Sequence, residues 1–214
     1  MPEWEAIIAV TLAGLALSIT PGPSMLYVLS RSVGQSRAAG LASAIGLGLG
    51  GVLLAVATAL GLAALFARFD WVVTFLRLAG SAYLIWLGVD MIRQAAADAK
   101  QVLEVNKVIE KPFLGIVWQG TLVELLNPKT VLFFALFLPP FVSTGVGQGL
   151  DANVQLQLLI LGALVPLTAL PSDLVVAFLG GTIAHTINRK QTLRKWLSWA
   201  GGVTLILIAF NLHL

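Results

Sequence analysis

Glu124, Asn127, Lys129 and Asp173 stand inside stretches otherwise made of leucine, valine, alanine and phenylalanine. A charge at the centre of a bilayer costs on the order of 2.5–3.5 kcal/mol on insertion scales, so such side chains turn to partners or to a wet cavity. Gly120, Glu124 and Asn127 recur at i, i+4 and i+7, which is one helical face. Lys129 lies ~15 Å from either end of its apolar run at 1.5 Å per residue, too deep for its ammonium to reach water by stretching. It needs a carboxylate or a freed carbonyl. Mixed charges at one depth suit a small zwitterion, whose carboxylate would meet Lys129 or a half-helix N-terminus and whose amine would meet Glu124, Asp173 or freed carbonyls. A carboxylate kept from bulk water is also a candidate for proton exchange, and Asp173 and Glu124 are the two proton-coupling candidates. The plainer alternative is an ion pair, Glu124–Lys129 or Lys129–Asp173, that only fixes the helices.

Two interruptions of the backbone accompany these groups. Thr20-Pro21-Gly22-Pro23 sits within one apolar run and Asn127-Pro128-Lys129 within another, and the prolines at 21 and 128 lie half the 214-residue chain apart. Pro21 and Pro23 carry no N–H, which frees the carbonyls of Leu17 and Ile19 four residues back. Gly22 lets the chain leave helical geometry. A broken helix is tolerated at bilayer depth where it is buried in protein or lines a cavity. Paired breaks in corresponding positions of two halves point to a transporter site between repeats. An ordinary proline kink is the competing reading for either break alone.

The elements that must carry these groups follow from composition. Hydrophobic residues make up 58% and charged residues 11%, about half the charge of an average soluble domain. Six stretches reach the roughly 20 residues needed to cross hydrocarbon: 4–29, 39–66, 71–92, 113–142, 154–184 and 196–212. The expected fold is an all-α membrane protein of six transmembrane helices, with helices one and four broken. Pro166 and Pro171 suggest that helix five is interrupted as well. The first run has acidic residues before it and is too long for a cleavable signal core, so it is read as a retained helix. Asp173 shares a face with Ala169, Ala177 and Gly180, which suits either close helix contact or room for a substrate. Gly46 and Gly50 form a small-xxx-small pair for packing within the chain or across a homodimer. Five tryptophans (71, 86, 118, 196 and 199) fit anchoring at the membrane interfaces.

Lysine and arginine gather in alternate loops: Arg31 and Arg37; Arg93, Lys100, Lys107 and Lys111; Arg189, Lys190, Arg194 and Lys195. The positive-inside rule makes that side cytoplasmic and both termini external. Residues 94–112 form a mixed-charge cytoplasmic linker between two three-helix repeats, 1–93 and 113–214. Three is odd, so the repeats must be inverted. An echo between Leu76–Ser81 and Leu197–Gly202 agrees with duplication. With no cysteine, disulfides and thiolate chemistry are excluded. His185 and His213 stand apart, so neither a metal nor a cofactor is expected, and the basic loops need no nucleic acid to explain them.

Several segments are similar to those of the lysine and homoserine exporter family, the LysE/RhtB type. They are Thr20-Pro21-Gly22-Pro23, the run Gly80-Ser81-Ala82-Tyr83-Leu84-Ile85-Trp86-Leu87-Gly88, and Asn127-Pro128-Lys129 leading to Phe133-Phe134 and Leu138-Pro139. Asp173 within Pro171-Ser172-Asp173-Leu174 resembles the family's aspartate in span five. The resemblance runs in order along nearly the whole chain. It implies a bacterial inner-membrane exporter of amino acids or related metabolites, driven by proton antiport. By the same analogy Thr20 to Pro23, Asn127 to Lys129 and Asp173 hold the substrate. Glu124 departs from the polar amide that precedes the Asn-Pro-Lys turn in that family, which leaves open a cationic substrate or a changed proton count. A passive channel or a purely structural membrane protein is the alternative, although no repeated polar rings line the spans.

Overall fold

The computed structural model describes residues 1–20, 22–100, 109–142, 152–189 and 191–211, and Pro21, one of the expected site residues, lies outside them. Among the described residues there are eight α-helices and no strands. Helix α1 (Trp4–Ile19) is followed after a break by α2 (Pro23–Gly34). Next come α3 (Arg37–Arg68) and α4 (Asp70–Lys100). Helix α5 (Phe113–Leu125) is followed after a second break by the short α6 (Pro128–Leu132). The chain then continues as a π-helical turn, Phe133–Phe137, and a 3-10 turn, Pro139–Phe141. Helices α7 (Ala152–Arg189) and α8 (Gln191–Asn211) complete the bundle.

Two segments, Arg37–Leu62 and Val154–Gly180, are long and apolar enough to cross a membrane, and the two broken pairs raise the number to four. Each broken pair bends by 50°. Large apolar side chains cover the outside of the bundle, among them Leu60, Leu78, Leu167, Leu207 and Phe210. Such a surface suits hydrocarbon, not water. The tryptophans at 71, 86, 118, 196 and 199 are exposed on it as well.

The third and fifth of the six expected runs differ from α4 and α7 in instructive ways. Helix α4 runs past residue 92 into the expected linker, as far as Lys100. Helix α7 passes through Pro166 and Pro171 without interruption, which corrects the expectation of a broken helix five. Hydroxyls beside each proline bond nearby carbonyls: Thr168 Oγ1 donates to Val165 O at 2.9 Å and Ser172 Oγ to Ala169 O at 2.8 Å. No extended residue accompanies these prolines, whereas Gly22 and Asn127 are both extended.

Close helix approach depends on glycine. A Cβ on Gly46 would strike the Val117 carbonyl, and one on Gly50 would lie 2.7 Å from Glu124 Cβ. This stripe is therefore used inside the chain, joining α3 to α5. Helices α4 and α8 cross reciprocally. A Cβ on Gly88 would lie 2.5 Å from the Gly202 carbonyl and 2.7 Å from Ile206, while one on Gly202 would lie 2.5 Å from the Gly88 carbonyl and 2.8 Å from Ile92. This crossing pairs Gly202 with Gly88, where the sequence echo paired it with Ser81. The two registers differ by about two helical turns at 3.6 residues per turn, so each presents the same face. Behind the broken α5–α6 helix lies the main core, built around Phe133, Phe134, Phe137, Leu138, Leu84 and Leu158.

Candidate functional site where two broken helices meet

The breaks are made in different ways. At the first, Thr20 and Gly22 are extended, Pro23 opens α2, and no side chain caps that helix. Thr20 Oγ1 turns back to Ala16 O at 2.8 Å. At the second, Leu126 leaves helical geometry and Asn127 becomes the cap of α6, its Oδ1 accepting from the Lys129 backbone N–H at 3.1 Å. A capping side chain satisfies one of the orphan donors at a helix start. The Glu124 carbonyl, which Pro128 cannot serve, accepts from Asn127 N instead.

Side chains then bind one break to the other. Ser24 Oγ donates to Glu124 Oε2 at 2.6 Å, and Asn127 Nδ2 donates to Ser24 Oγ at 3.0 Å. Lys129 Nζ donates to Leu17 O at 3.3 Å. That carbonyl is one of the two the sequence marks as freed by the first break. The lysine thus finds backbone from the opposite half. Its electrostatic neighbours are Glu124 and Asp90. Asp173, 8% exposed, has Glu124 as its charged neighbour and no hydrogen-bond partner among the described residues. The Lys129–Asp173 ion pair considered from sequence is not formed.

These groups surround a cavity of about 60 Å³, room for a few water molecules. Thr20, Gly22 and Pro23 line it from the first break, and Glu124, Asn127 and Lys129 from the second. Asp173 lines it from α7. Pro128 does not: its ring is exposed, and its part is to start α6. Of the small face on α7, Ala169 and Asp173 reach the cavity. Ala177 and Gly180 instead take up α2 and α3, through Ser32 Oγ donating to Ala177 O at 2.6 Å and through Gly40.

Ser24 and Thr130 also line the cavity and were not singled out from sequence. Their signal is faint: each is a hydroxyl residue one or two places after the proline that opens a half-helix. Tyr83 carries a clearer one, since its hydroxyl donates to Lys129 O at 3.0 Å. Gly80, three residues earlier, packs against the Leu136 carbonyl. The Gly80–Gly88 run therefore braces the second broken helix from behind and supplies the α8 crossing.

Arg31 was counted among loop cations, and this is corrected. It lies in α2, 4% exposed. Its guanidinium donates to Gln119 Oε1 and Ile109 O at 2.8 Å and to Gln35 Oε1 at 3.2 Å. The charge is spent on tying α2 to the start of α5, so Arg37 is the cation that remains exposed at this turn.

Comparison with known proteins agrees with this architecture. Residues 15–214 match the family model of the LysE type translocator. An uncharacterized membrane protein of Pseudomonas aeruginosa is 31% identical over 92% of this chain and 88% of its own. The threonine efflux protein of Escherichia coli strain K12 is 27% identical over 97% and 96%. A homoserine/homoserine lactone efflux protein of Salmonella typhimurium is 30% identical over 86% and 82%. No solved structure matches. The chain belongs to the LysE type translocator family: it is a multi-pass membrane transport protein, not an enzyme.

Proposed function

We propose that this protein is a secondary transporter that exports amino acids, or closely related small zwitterions, from the bacterial cytoplasm across the inner membrane by exchange for protons. The observation that carries the proposal is the convergence of both helix breaks and three intramembrane charges on one cavity. The efflux proteins of threonine and of homoserine to which the chain is similar support amino acids as the substrate class.

The substrate's carboxylate meets Lys129, and its amine meets Glu124 or Asp173. Thr20 to Pro23 and Asn127 to Lys129 supply backbone dipoles and hydroxyls, in the way half-helix ends hold charged solutes in other carriers. Asp173 takes the inward proton. It is buried, it faces the cavity, and no described hydrogen bond occupies it, so a proton and an amine can compete for it. Glu124 is held by Ser24 and is the second carrier of that exchange.

Six spans in two inverted repeats, 1–93 and 113–214 about the linker 94–112, make the breaks equivalent. The reciprocal Gly88–Gly202 crossing supports this, because an in-plane two-fold axis exchanges the third helix of each repeat. The cationic loops place both termini outside. Export from loaded proteoliposomes tests the reading. Asp173→Asn and Lys129→Ala should each abolish uphill export of a threonine-like probe, and unchanged rates in both would overturn the assignment.

A further inference from the structure

Four glycines line the cavity: Gly14, Gly22, Gly48 and Gly51. Two are explained by packing. A Cβ on Gly14 would run into the Thr168 side chain, and one on Gly51 would lie 2.9 Å from the Pro166 ring. Gly22 belongs to the break itself. Gly48 has neither reason. It sits inside α3, where glycine is a weaker helix former than alanine, and a Cβ there would meet nothing within 4 Å. Its neighbours Gly46 and Gly50, by contrast, are pressed against α5. The space beside Gly48 is therefore cavity and not helix contact.

From this we infer that Gly48 sets the size of the substrate side chain this exporter accepts, and that the accepted side chains are short and neutral. This rests on the proposed amino-acid export. Three ionised groups, Glu124, Lys129 and Asp173, match the amine, the carboxylate and the exchanged proton of a zwitterion. Among the described residues, no further charged side chain lines the cavity to pair with a charged substrate side chain. The other polar lining side chains, such as Ser18, Ser24 and Thr130, are neutral, and the wall beside Gly48 includes the apolar Leu47 and Gly51 of α3 with Val165, Pro166 and Leu170 of α7. The cavity is small, about 60 Å³, and a methyl added at Gly48 would project into it and narrow it.

Gly61 is the matched control. It lies further along the same helix, a Cβ there also meets nothing within 4 Å, and it is exposed outside the cavity. Parent, Gly48→Ala, Gly48→Val and Gly61→Val proteins are compared in proteoliposomes by counterflow, with glycine, alanine, threonine, leucine and lysine as probes. The parent should carry the small neutral probes and discriminate against lysine. Gly48→Ala should keep glycine and alanine exchange while losing threonine and leucine at least tenfold, and Gly48→Val should lose alanine too. Gly61→Val should match the parent. A thermal melt of each variant separates narrowed selectivity from misfolding, with Gly48→Ala as the variant that keeps the test open if valine is not tolerated. An identical probe profile in parent and Gly48→Ala overturns the inference and leaves amino-acid export standing. Carriage of lysine by the parent as fast as threonine overturns the neutral-side-chain half. Failure of the parent to carry any probe overturns the reading on which both rest.

Discussion

The two breaks perform one task with different means. The first, around Thr20 and Gly22, is built from backbone and hydroxyls, carries no charge and has no side-chain cap. The second holds Glu124 and Lys129, and Asn127 caps its half-helix. With Asp173 on α7, every charge lining the cavity among the described residues comes from the second half of the chain. The first half answers with Ser24, which holds Glu124, and with the Leu17 carbonyl, which accepts from Lys129. One half brings charge; the other brings the dipoles that make it tolerable. Buried charges persist only when paired or hydrogen-bonded, so neither half can form the site alone.

This division can be broken from either side. The largest effect belongs to the charges of the second half. We expect Asp173→Asn to lower proton-driven export by about 100-fold, equivalent to roughly 2.7 kcal/mol, while exchange of substrate for substrate persists. A parallel loss of exchange would make Asp173 a structural group. Removing the first half's contribution should cost less. Ser24→Ala deletes one hydrogen bond to a charged acceptor, worth about 1.5–3 kcal/mol, together with the one accepted from Asn127, and transport should fall about tenfold as Glu124 loses its orientation. Normal export in that variant would show that Glu124 is positioned from its own helix.

Stability sharpens the comparison further. Gly88→Leu forces a side chain into the α8 crossing and should destabilise the detergent-solubilised protein by about 1–3 kcal/mol, as overpacking does. Asn127→Ala removes a cap and should cost about 1 kcal/mol. Gly22→Ala should cost less than about 0.5 kcal/mol. Its φ of −157° is extended backbone open to any residue, and its Cβ would have only the Thr20 carbonyl near, at 3.9 Å. Thermal melts of these three variants give the order directly. A Gly22 variant as damaged as the Asn127 one would mean that the first break depends on glycine's freedom after all.

Both breaks were legible in sequence because proline acts locally: its missing N–H beside a glycine or a capping asparagine favours a helix end. The charged residues were legible because charge in an apolar run is costly anywhere in the run. What escaped depends on partners distant in the chain. Helix α7 keeps its course through two prolines while packed along α3 and α1. Arg31 looks like a loop cation until Ile109 and Gln119 fold onto it. The six glycines of α3 at 40, 46, 48, 50, 51 and 61 read alike, yet only Gly48 and Gly61 face open space, and of these two Gly48 alone lines the cavity. A pattern of small residues says that something comes close, not what.

The central claim is that both breaks face one substrate. The protein has no cysteine, so single thiols can be placed at Thr20 and at Thr130 without background. The rate at which a membrane-impermeant maleimide labels each is then measured against rising concentrations of a transported amino acid. Our account predicts that labelling slows at both positions with the same half-maximal concentration. Protection at one position with none at the other would contradict it.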